Sequence, residues 1–108
     1  MGWIYRTYNL REEESLIFEQ NGRKVRLSLV EKNLKWARFL IENFGKQNGD
    51  NDSGFIDMEY RSHYSPQTFP LLDFSPNVGL HTRSNKVDVR IHKPKDIQAY
   101  IERDRSPR

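Results

Sequence analysis

The chain has 108 residues, with 18 lysines and arginines, 15 acidic residues and no cysteine. A chain of this length can bury a core without covalent staples, and the lack of cysteine excludes disulfides and thiolate metal sites. We therefore expect one domain over residues 1–104, followed by a frayed tail at 105–108, in the cytoplasm or nucleus. The sequence contains no run of about 20 apolar residues, so we expect no membrane partner.

The first strand is predicted over Trp3 to Tyr8, where aromatic and polar side chains alternate. Alternation gives a strand two distinct faces but does not say which of them is buried. Either Trp3 and Tyr5 or the opposed Ile4 and Tyr8 can therefore face the core.

A β-hairpin is predicted at Asn21-Gly22, because this dipeptide between two alternating runs is the strongest short hairpin signal. Counting outward from a two-residue turn pairs Leu16 with Leu27 and fixes every pair between them. Directly opposed residues share a face of the sheet. One face is then apolar (Leu16, Phe18, Val25, Leu27) and the other is mostly charged (Ile17, Glu19, Lys24, Arg26).

A long helix is predicted from Leu29 to Phe44, since Ser28 and Glu31 have the spacing of a capping box. Its apolar stripe at helical spacing consists of Val30, Leu34, Ala37, Leu40, Ile41 and Phe44. Trp36 lies at the edge of this stripe and Phe39 lies outside it. Aromatic residues beside a core stripe are typical of a helix that packs against a partner chain.

The second half of the chain predicts further strands and a final short helix. Phe55 to Arg61 and Lys86 to His92 alternate cleanly, and Leu71 to Phe74 is a candidate edge strand. Pro94 and Asp96 suit the first turn of a helix that ends near Asp104. The expected fold is α+β: an antiparallel sheet of about 4–6 strands packed on two helices as a two-layer sandwich.

The stretch from Gly22 to Phe44 resembles the last strand and helix of single-strand-binding transcriptional coactivators of the positive-cofactor-four type. In both, a glycine and basic residues lead into a strand and then into a serine-capped amphipathic helix. The resemblance covers roughly a fifth of the chain. The upstream strands do not continue that family's pattern, so the resemblance assigns no functional residue here.

The leading functional hypothesis is a non-enzymatic binding module that engages single-stranded DNA or RNA through the sheet face opposite the helices. Bases can stack on aromatic rings while lysines and arginines follow the phosphates. The region from His81 to Lys95 holds five bases and one acid, so it is locally positive. The expected stacking residues are Trp3 or Tyr5, and the expected phosphate-binding residues are Lys24, Arg26, Arg83, Lys86, Arg90 and Lys93.

Three alternatives remain open at this point. The charged strand faces can be ordinary solvated surface. The domain can be an inhibitor or adaptor that binds a protein partner, or a second copy of itself, through Trp36 and Phe39. A metal-dependent nuclease is a distant third, with Asp57 and Glu59 joined by Asp73 or Asp88.

No catalytic residue, metal ligand set or cofactor motif is expected. His63, His81 and His92 lack the short spacing of metal-binding histidines. A glycine-rich phosphate-binding loop has to lie directly before the start of a helix. The glycines here follow the predicted helix, so they do not indicate a phosphate site.

Overall fold

The structure, a computed structural model, describes residues 2–20, 22–44, 53–60, 65–66, 77–83 and 85–103, with the backbone alone at 43–44, 65–66, 77 and 83. These residues form strands and turns, and no helix occurs among them. A helix long and apolar enough to cross a membrane is accordingly not found in the described ranges. The strands are β1 (Trp3–Arg11), β2 (Glu14–Gln20), β3 (Arg23–Lys32), β4 (Trp36–Phe44), β5 (Ser53–Glu59), β6 (Ser65–Pro66), β7 (Asn77–Arg83), β8 (Lys86–Pro94) and β9 (Gln98–Arg103).

The strands form two antiparallel sheets, so the expected α+β class is wrong and the chain is all-β. The four-stranded sheet has the order β1-β8-β7-β6, and the five-stranded sheet has the order β5-β4-β3-β2-β9. The chain crosses between the sheets at β1–β2, at β5–β6 and at β8–β9. The first and the last of these crossings are tight turns, and Glu13 in the first has a positive φ of 77°.

One hydrophobic core lies between the sheets and contains side chains from both of them. The shortest dimension of the molecule is 20 Å, which suits two layers packed about 10 Å apart. The inward residues of β8 are Val87, Val89 and Ile91, as the alternating pattern predicts, and all three are fully buried. On β1 the inward residues include Tyr8 and Leu10, which leaves Trp3 and Tyr5 on the outside.

The predicted hairpin is confirmed with its register. β2 and β3 pair Leu16 with Leu27, Phe18 with Val25 and Gln20 with Arg23. Gly22 has a φ of 78°, the left-handed conformation that such a turn needs and that glycine adopts without strain. The apolar face of the hairpin is completely buried.

The predicted helix from Leu29 to Phe44 is wrong, because β3 continues to Lys32 and β4 runs over most of the remainder. The side chain of Asn33 makes the turn between them. Its Oδ1 accepts hydrogen bonds from the backbone N–H groups of Lys35 and Trp36 at 2.8 and 2.9 Å. An asparagine that bonds to the backbone in this way favours a turn over a helix.

Burial in β4 follows a period of two: Ala37 and Phe39 are fully buried, and Arg38 between them is partly exposed. Two residues of the expected helical stripe lie outside β4 and are exposed. Leu34, in the turn before it, is 89% exposed, and Val30 of β3 is 44% exposed. The likeness to the coactivator family is lost with this helix, because it required a helix where β4 lies.

The predicted final helix is also wrong. Pro94 ends β8, and a turn closed by the Ile97 N–H on the Pro94 carbonyl at 3.3 Å leads into β9. The strand predicted from Phe55 is confirmed as part of β5, with Ile56 and Met58 inward. The proposed edge strand over Leu71 to Phe74 and the tail at 105–108 lie outside the described residues.

Candidate binding surface

The outward side chains of the four-stranded sheet form a surface that we call the four-strand face. Cross-strand pairing places β1 residues beside β8 residues, and β8 residues beside β7 residues. Among its described side chains, three bases stand against one acid, a formal charge of +2. The members are Trp3, Tyr5, Thr7, Asn9 and Arg11 of β1, His81 of β7, and Lys86, Asp88, Arg90 and His92 of β8.

One end of this face is aromatic. Tyr5 and His92 are direct cross-strand partners, and their rings stack with centroids 4.2 Å apart and planes 11° apart. The ring centroid of Trp3 lies 5.0 Å from that of the same imidazole. Trp3 is 47% exposed and Tyr5 is 59% exposed, so both rings also present area to a partner.

The middle of the face holds an open depression of about 430 Å³, lined by Thr7, His81, Thr82, Asp88 and Arg90. Asp88 is only 6% exposed, although it points away from the core. The Asn9 side-chain amide donates a hydrogen bond to its Oδ1. Arg90 lies 3.3 Å from His81, measured from Nη1 to Nε2.

The basic end of the face lies beyond the depression. Arg11 and Lys86 are direct cross-strand partners there, at the opposite end of β1 and β8 from the Trp3–Pro94 pair. The backbone of Arg83 pairs with Lys86 on the other side. The aromatic end and the basic end are therefore arranged in series along the strands and do not interleave.

The outward side of the five-stranded sheet, the five-strand face, has the opposite charge. Three bases stand against six acids among its described side chains, a formal charge of −3. Arg26 bonds to Glu42 at 3.0 Å and to Glu102 at 3.3 Å. The members are Ser15, Ile17 and Glu19 of β2, Lys24, Arg26, Ser28 and Glu31 of β3, Trp36, Arg38, Leu40 and Glu42 of β4, Ser53, Phe55, Asp57 and Glu59 of β5, and Gln98, Tyr100 and Glu102 of β9. Phe55, near the β5 edge of this face, is 67% exposed.

Arg38 and Asp57 form a second ion pair on this face. Two hydrogen bonds of 2.8 and 3.2 Å join the guanidinium to the carboxylate. Hydrogen bonding to Arg38 lowers the pKa of Asp57, and the same bonds raise the pKa of Arg38. The Arg38 guanidinium also lies 5.4 Å from the centre of the Trp36 ring.

The five-strand face is covered around Ile17. It belongs to the outward set, yet it is 1% exposed. Its direct neighbours are Arg26 on β3 and Tyr100 on β9. Arg26 is held by two glutamates, and the Tyr100 hydroxyl donates to Glu19. We infer that these two fixed side chains cover the isoleucine, as long amphipathic side chains commonly do.

The structure divides the residues predicted to bind nucleic acid among three places. Lys24 and Arg26 belong to the five-strand face, where Arg26 is engaged by acids. Lys93 points into the sandwich. Four of the others lie together on the four-strand face: Trp3, Tyr5, Lys86 and Arg90. For Arg83 the structure describes the backbone alone, which pairs with Lys86.

Lys93 does not present its charge to a ligand, because it is 3% exposed. Its ammonium donates to the backbone carbonyls of Pro94 and Ile97. Burial lowers the pKa of Lys93, nearby Arg6 lowers it further, and Asp96 partly opposes them.

The structure does not bring Trp36 and Phe39, the residues of the predicted partner interface, onto one surface. The two residues lie on opposite faces of β4, and Phe39 is fully buried in the core. Of the acids in the nuclease hypothesis, Asp57 and Glu59 share the five-strand face, Asp88 lies on the other outer face, and Asp73 lies outside the described residues. The described residues contain no group of three or more potential metal ligands.

Sequence reasoning missed the contributions of Thr7, Asn9, Arg11 and His81 to the four-strand face. The alternation of β1 continues through Arg11, so this pattern contains the signal for Thr7, Asn9 and Arg11. His81 gives no such signal, because its position depends on β7 pairing with β8 in one register.

Comparisons with models of known protein families, with curated protein sequences and with solved structures find no match to this chain. They therefore supply no support for nucleic-acid binding or for any other activity. The functional argument depends on the two outer faces alone.

Proposed function

We propose that this domain is a non-enzymatic protein-interaction module, and that its four-strand face binds an acidic segment of a partner protein. The observation that carries the proposal is the union of exposed Trp3 and Tyr5 with Arg11, Lys86 and Arg90 on one sheet face. Tryptophan, tyrosine and arginine are the residues most enriched in interface hot spots.

The charge of the face favours an acidic partner. Its formal charge of +2 contrasts with −3 on the five-strand face, so an acidic segment is attracted to one side of the sandwich and repelled from the other. Complementary charge of this kind increases the rate of association and selects the orientation of binding.

The arrangement of the rings favours a protein over single-stranded nucleic acid, the leading hypothesis from the sequence. One face of Tyr5 is already stacked on His92, whereas base stacking requires open ring faces. Arg11 and Lys86 lie at the far end of β1 and β8 from Trp3, whereas a nucleotide needs its phosphate contact close to its stacking ring. A peptide with apolar residues at one end and acids at the other matches this series.

An intracellular location, cytoplasmic or nuclear, is part of the same proposal. It is supported by the lack of cysteine in the sequence.

Selection of random 12-residue peptides displayed on phage against the whole chain tests the proposal. We expect enrichment of peptides that combine aromatic or aliphatic residues with aspartate or glutamate. Synthetic copies should lose most of their affinity for Trp3→Ala and Lys86→Glu. The matched controls on the five-strand face, Trp36→Ala and Lys24→Glu, should bind as the native chain does.

A labelled single-stranded DNA of about 30 random nucleotides provides the competing arm, measured by fluorescence anisotropy at about 50 and 200 mM salt. Tight, salt-sensitive DNA binding without peptide enrichment would overturn the proposal in favour of nucleic acid. It is also overturned if neither ligand binds, or if the selected peptides are indifferent to Trp3 and Lys86.

A further inference from the structure

β9 is an edge strand of the five-stranded sheet. β2 pairs with one side of it, and no strand in the described part of the chain pairs with the other side. Ile101 lies on the inward side of β9, opposite the fully buried Leu16 of β2, yet it is 37% exposed. Tyr100, on the outward side, is 37% exposed as well. An apolar side chain from the core layer therefore reaches solvent at this edge.

The hydrogen-bond pattern of the hairpin determines which backbone groups of β9 point away from the sheet. Gln20 and Arg23 flank the two-residue turn, so they form a hydrogen-bonded pair. Bonding alternates along a strand, so Glu19 and its odd-numbered neighbours on β2 bond instead to β9, where the partner of Glu19 is Gln98. The N–H and C=O groups of the odd-numbered residues of β9 then point away from β2: Ala99, Ile101 and Arg103.

The edge strand of the other sheet, β1, is protected against pairing by its own surroundings. The Lys95 N–H donates to the Gly2 carbonyl at 2.8 Å, so the odd-numbered residues of β1 direct their backbone groups to the outer edge. There the Arg6 guanidinium donates to the preceding carbonyl at 3.0 Å, and the Glu14 carboxylate accepts from the Arg11 N–H at 2.9 Å. A charged residue at an inward position of an edge strand, as Arg6 is, commonly prevents strand addition.

The sequence of β9 is complementary to itself in antiparallel pairing. With a two-fold axis at Tyr100, the edge-facing groups of Ala99 exchange hydrogen bonds with those of Ile101 in a second copy, which gives four bonds in total. On the inward side, each exposed Ile101 packs beside the small Ala99 of the other copy. On the outward side the two Tyr100 rings are direct neighbours, and the Gln98 amide faces the Glu102 carboxylate. Directly opposed residues in this register carry no like charges.

We propose that β9 is a dimerisation edge, at which two copies of this chain join their five-stranded sheets into one sheet of ten strands. The Ala99 carbonyl already accepts from the Tyr8 hydroxyl at 3.4 Å, and its second lone pair accepts the new N–H. Opposed residues share a face, so the four-strand faces of both copies lie on the same side of the dimer. The pairing does not depend on the proposed function, but it would offer an acidic partner two adjacent binding faces.

Sedimentation equilibrium of the whole chain, from about 5 µM to about 1 mM, tests for the dimer. Two short strands form a small interface, so association should depend on concentration. Ile101→Lys places a charge on the inward side of the edge in both copies, and should weaken dimerisation by more than about tenfold. The matched control is Val30→Lys, which changes another exposed β-branched residue, on β3, and should dimerise as the native chain does. Circular dichroism checks that both variants fold.

Single-cysteine variants test the register, because the native chain has no cysteine. Opposed residues of a non-hydrogen-bonded antiparallel pair have Cα atoms about 4.5 Å apart, which a disulfide can span. Tyr100→Cys should therefore give a disulfide-linked dimer when it is oxidised by dissolved oxygen, seen as a doubled mass on a non-reducing gel. Ile101→Cys, which is two residues out of register with its own copy, should link poorly. Phe55→Cys, at the opposite edge of the sheet, should do the same.

A native chain that is monomeric up to about 1 mM would overturn the β9 dimer. So would dimerisation that Ile101→Lys leaves unchanged, or stronger linking at Phe55 or Ile101 than at Tyr100. If Ile101→Lys does not fold, the cysteine variants still decide the question. The proposed function fails or stands separately, because selected peptides should still bind monomeric Ile101→Lys, and Trp3→Ala should still dimerise.

Discussion

The five-strand face and the four-strand face both carry arginines and aromatic rings, but the arginines have different neighbours. On the five-strand face, Arg26 and Arg38 are bonded to carboxylates, and Tyr100 is tied to Glu19. On the four-strand face, Arg90 contacts a histidine, and Tyr5 stacks on another. Base content alone therefore does not identify a binding face, because the acids beside the bases set its net charge: −3 on the described side chains of the five-strand face and +2 on those of the four-strand face.

The largest effect that this comparison predicts is on stability, at the covered part of the five-strand face. Ile17→Ala removes a buried side chain from beneath Arg26 and Tyr100, and should lower the free energy of unfolding by about 3 kcal/mol. Urea denaturation followed by circular dichroism measures it. Thr7→Ala, at an exposed position on the four-strand face, is the control and should change stability by less than about 0.5 kcal/mol. Similar losses at the two positions would contradict the contrast.

A smaller effect is expected from the ion pairs of Arg26. A double-mutant cycle of Arg26→Gln and Glu42→Gln should give a coupling energy of about 0.5–1 kcal/mol, because both groups are partly exposed. The coupling should decrease when salt is added. Lys86→Gln on the four-strand face should leave stability within about 0.5 kcal/mol of the native value. A coupling near zero would mean that the network neutralises Arg26 without stabilising the fold.

The smallest effect is a pH dependence from Tyr100. The hydrogen bond to Glu19 is the main cause that raises the pKa of Tyr100 to about 12, from 10.0. The folded state then holds this proton more tightly than the unfolded state. Its contribution is fully present below pH 10 and is lost as the pH rises towards 12. In thermal denaturation from pH 9 to 12, the melting temperature of the native chain should decline more steeply than that of Tyr100→Phe. Parallel curves would contradict a contribution of the Tyr100–Glu19 hydrogen bond.

Much of the strand content could be predicted from the sequence, because the deciding signals are local. The Asn21-Gly22 turn fixed one register, and the alternation around Val87, Val89 and Ile91 identified an inward face. Each signal lies within fewer than about ten residues, so it can be recognised without knowing which distant strands pair.

The helix error has a definite physical origin in β4. Residues four apart share a face in a helix and in a strand, so Ala37 and Ile41 fit both structures. Phe39 distinguishes them, because a strand places it with Ala37 and Ile41, whereas the helix places it outside their stripe. Its complete burial shows that the period of two was the correct one. A buried-type aromatic residue outside the predicted helical stripe was therefore the sign in the sequence that the helix assignment was wrong.

The candidate site was only partly predictable, because the four-strand face is assembled by strands far apart in sequence. The alternating pattern shows which side of its own strand Tyr5 or His92 occupies. It does not show that the two rings stack, because this contact depends on the pairing of β1 with β8. The prediction that Lys93 binds phosphate failed for a different reason. Lys93 lies on the same side of β8 as Ile91, so its side chain points inward, where two backbone carbonyls bind its ammonium.

The pairing of β1 with β8 has a consequence for the order of folding. Strands β2 to β5 follow one another as neighbours, so the larger part of the five-stranded sheet can form through short loop closures. β1 must wait for a partner about 80 residues further along the chain, and closing so long a loop costs more entropy. We therefore expect the four-stranded meander of β2 to β5 to be established early, and the surface that joins Trp3, Tyr5 and Arg90 to be completed among the last steps.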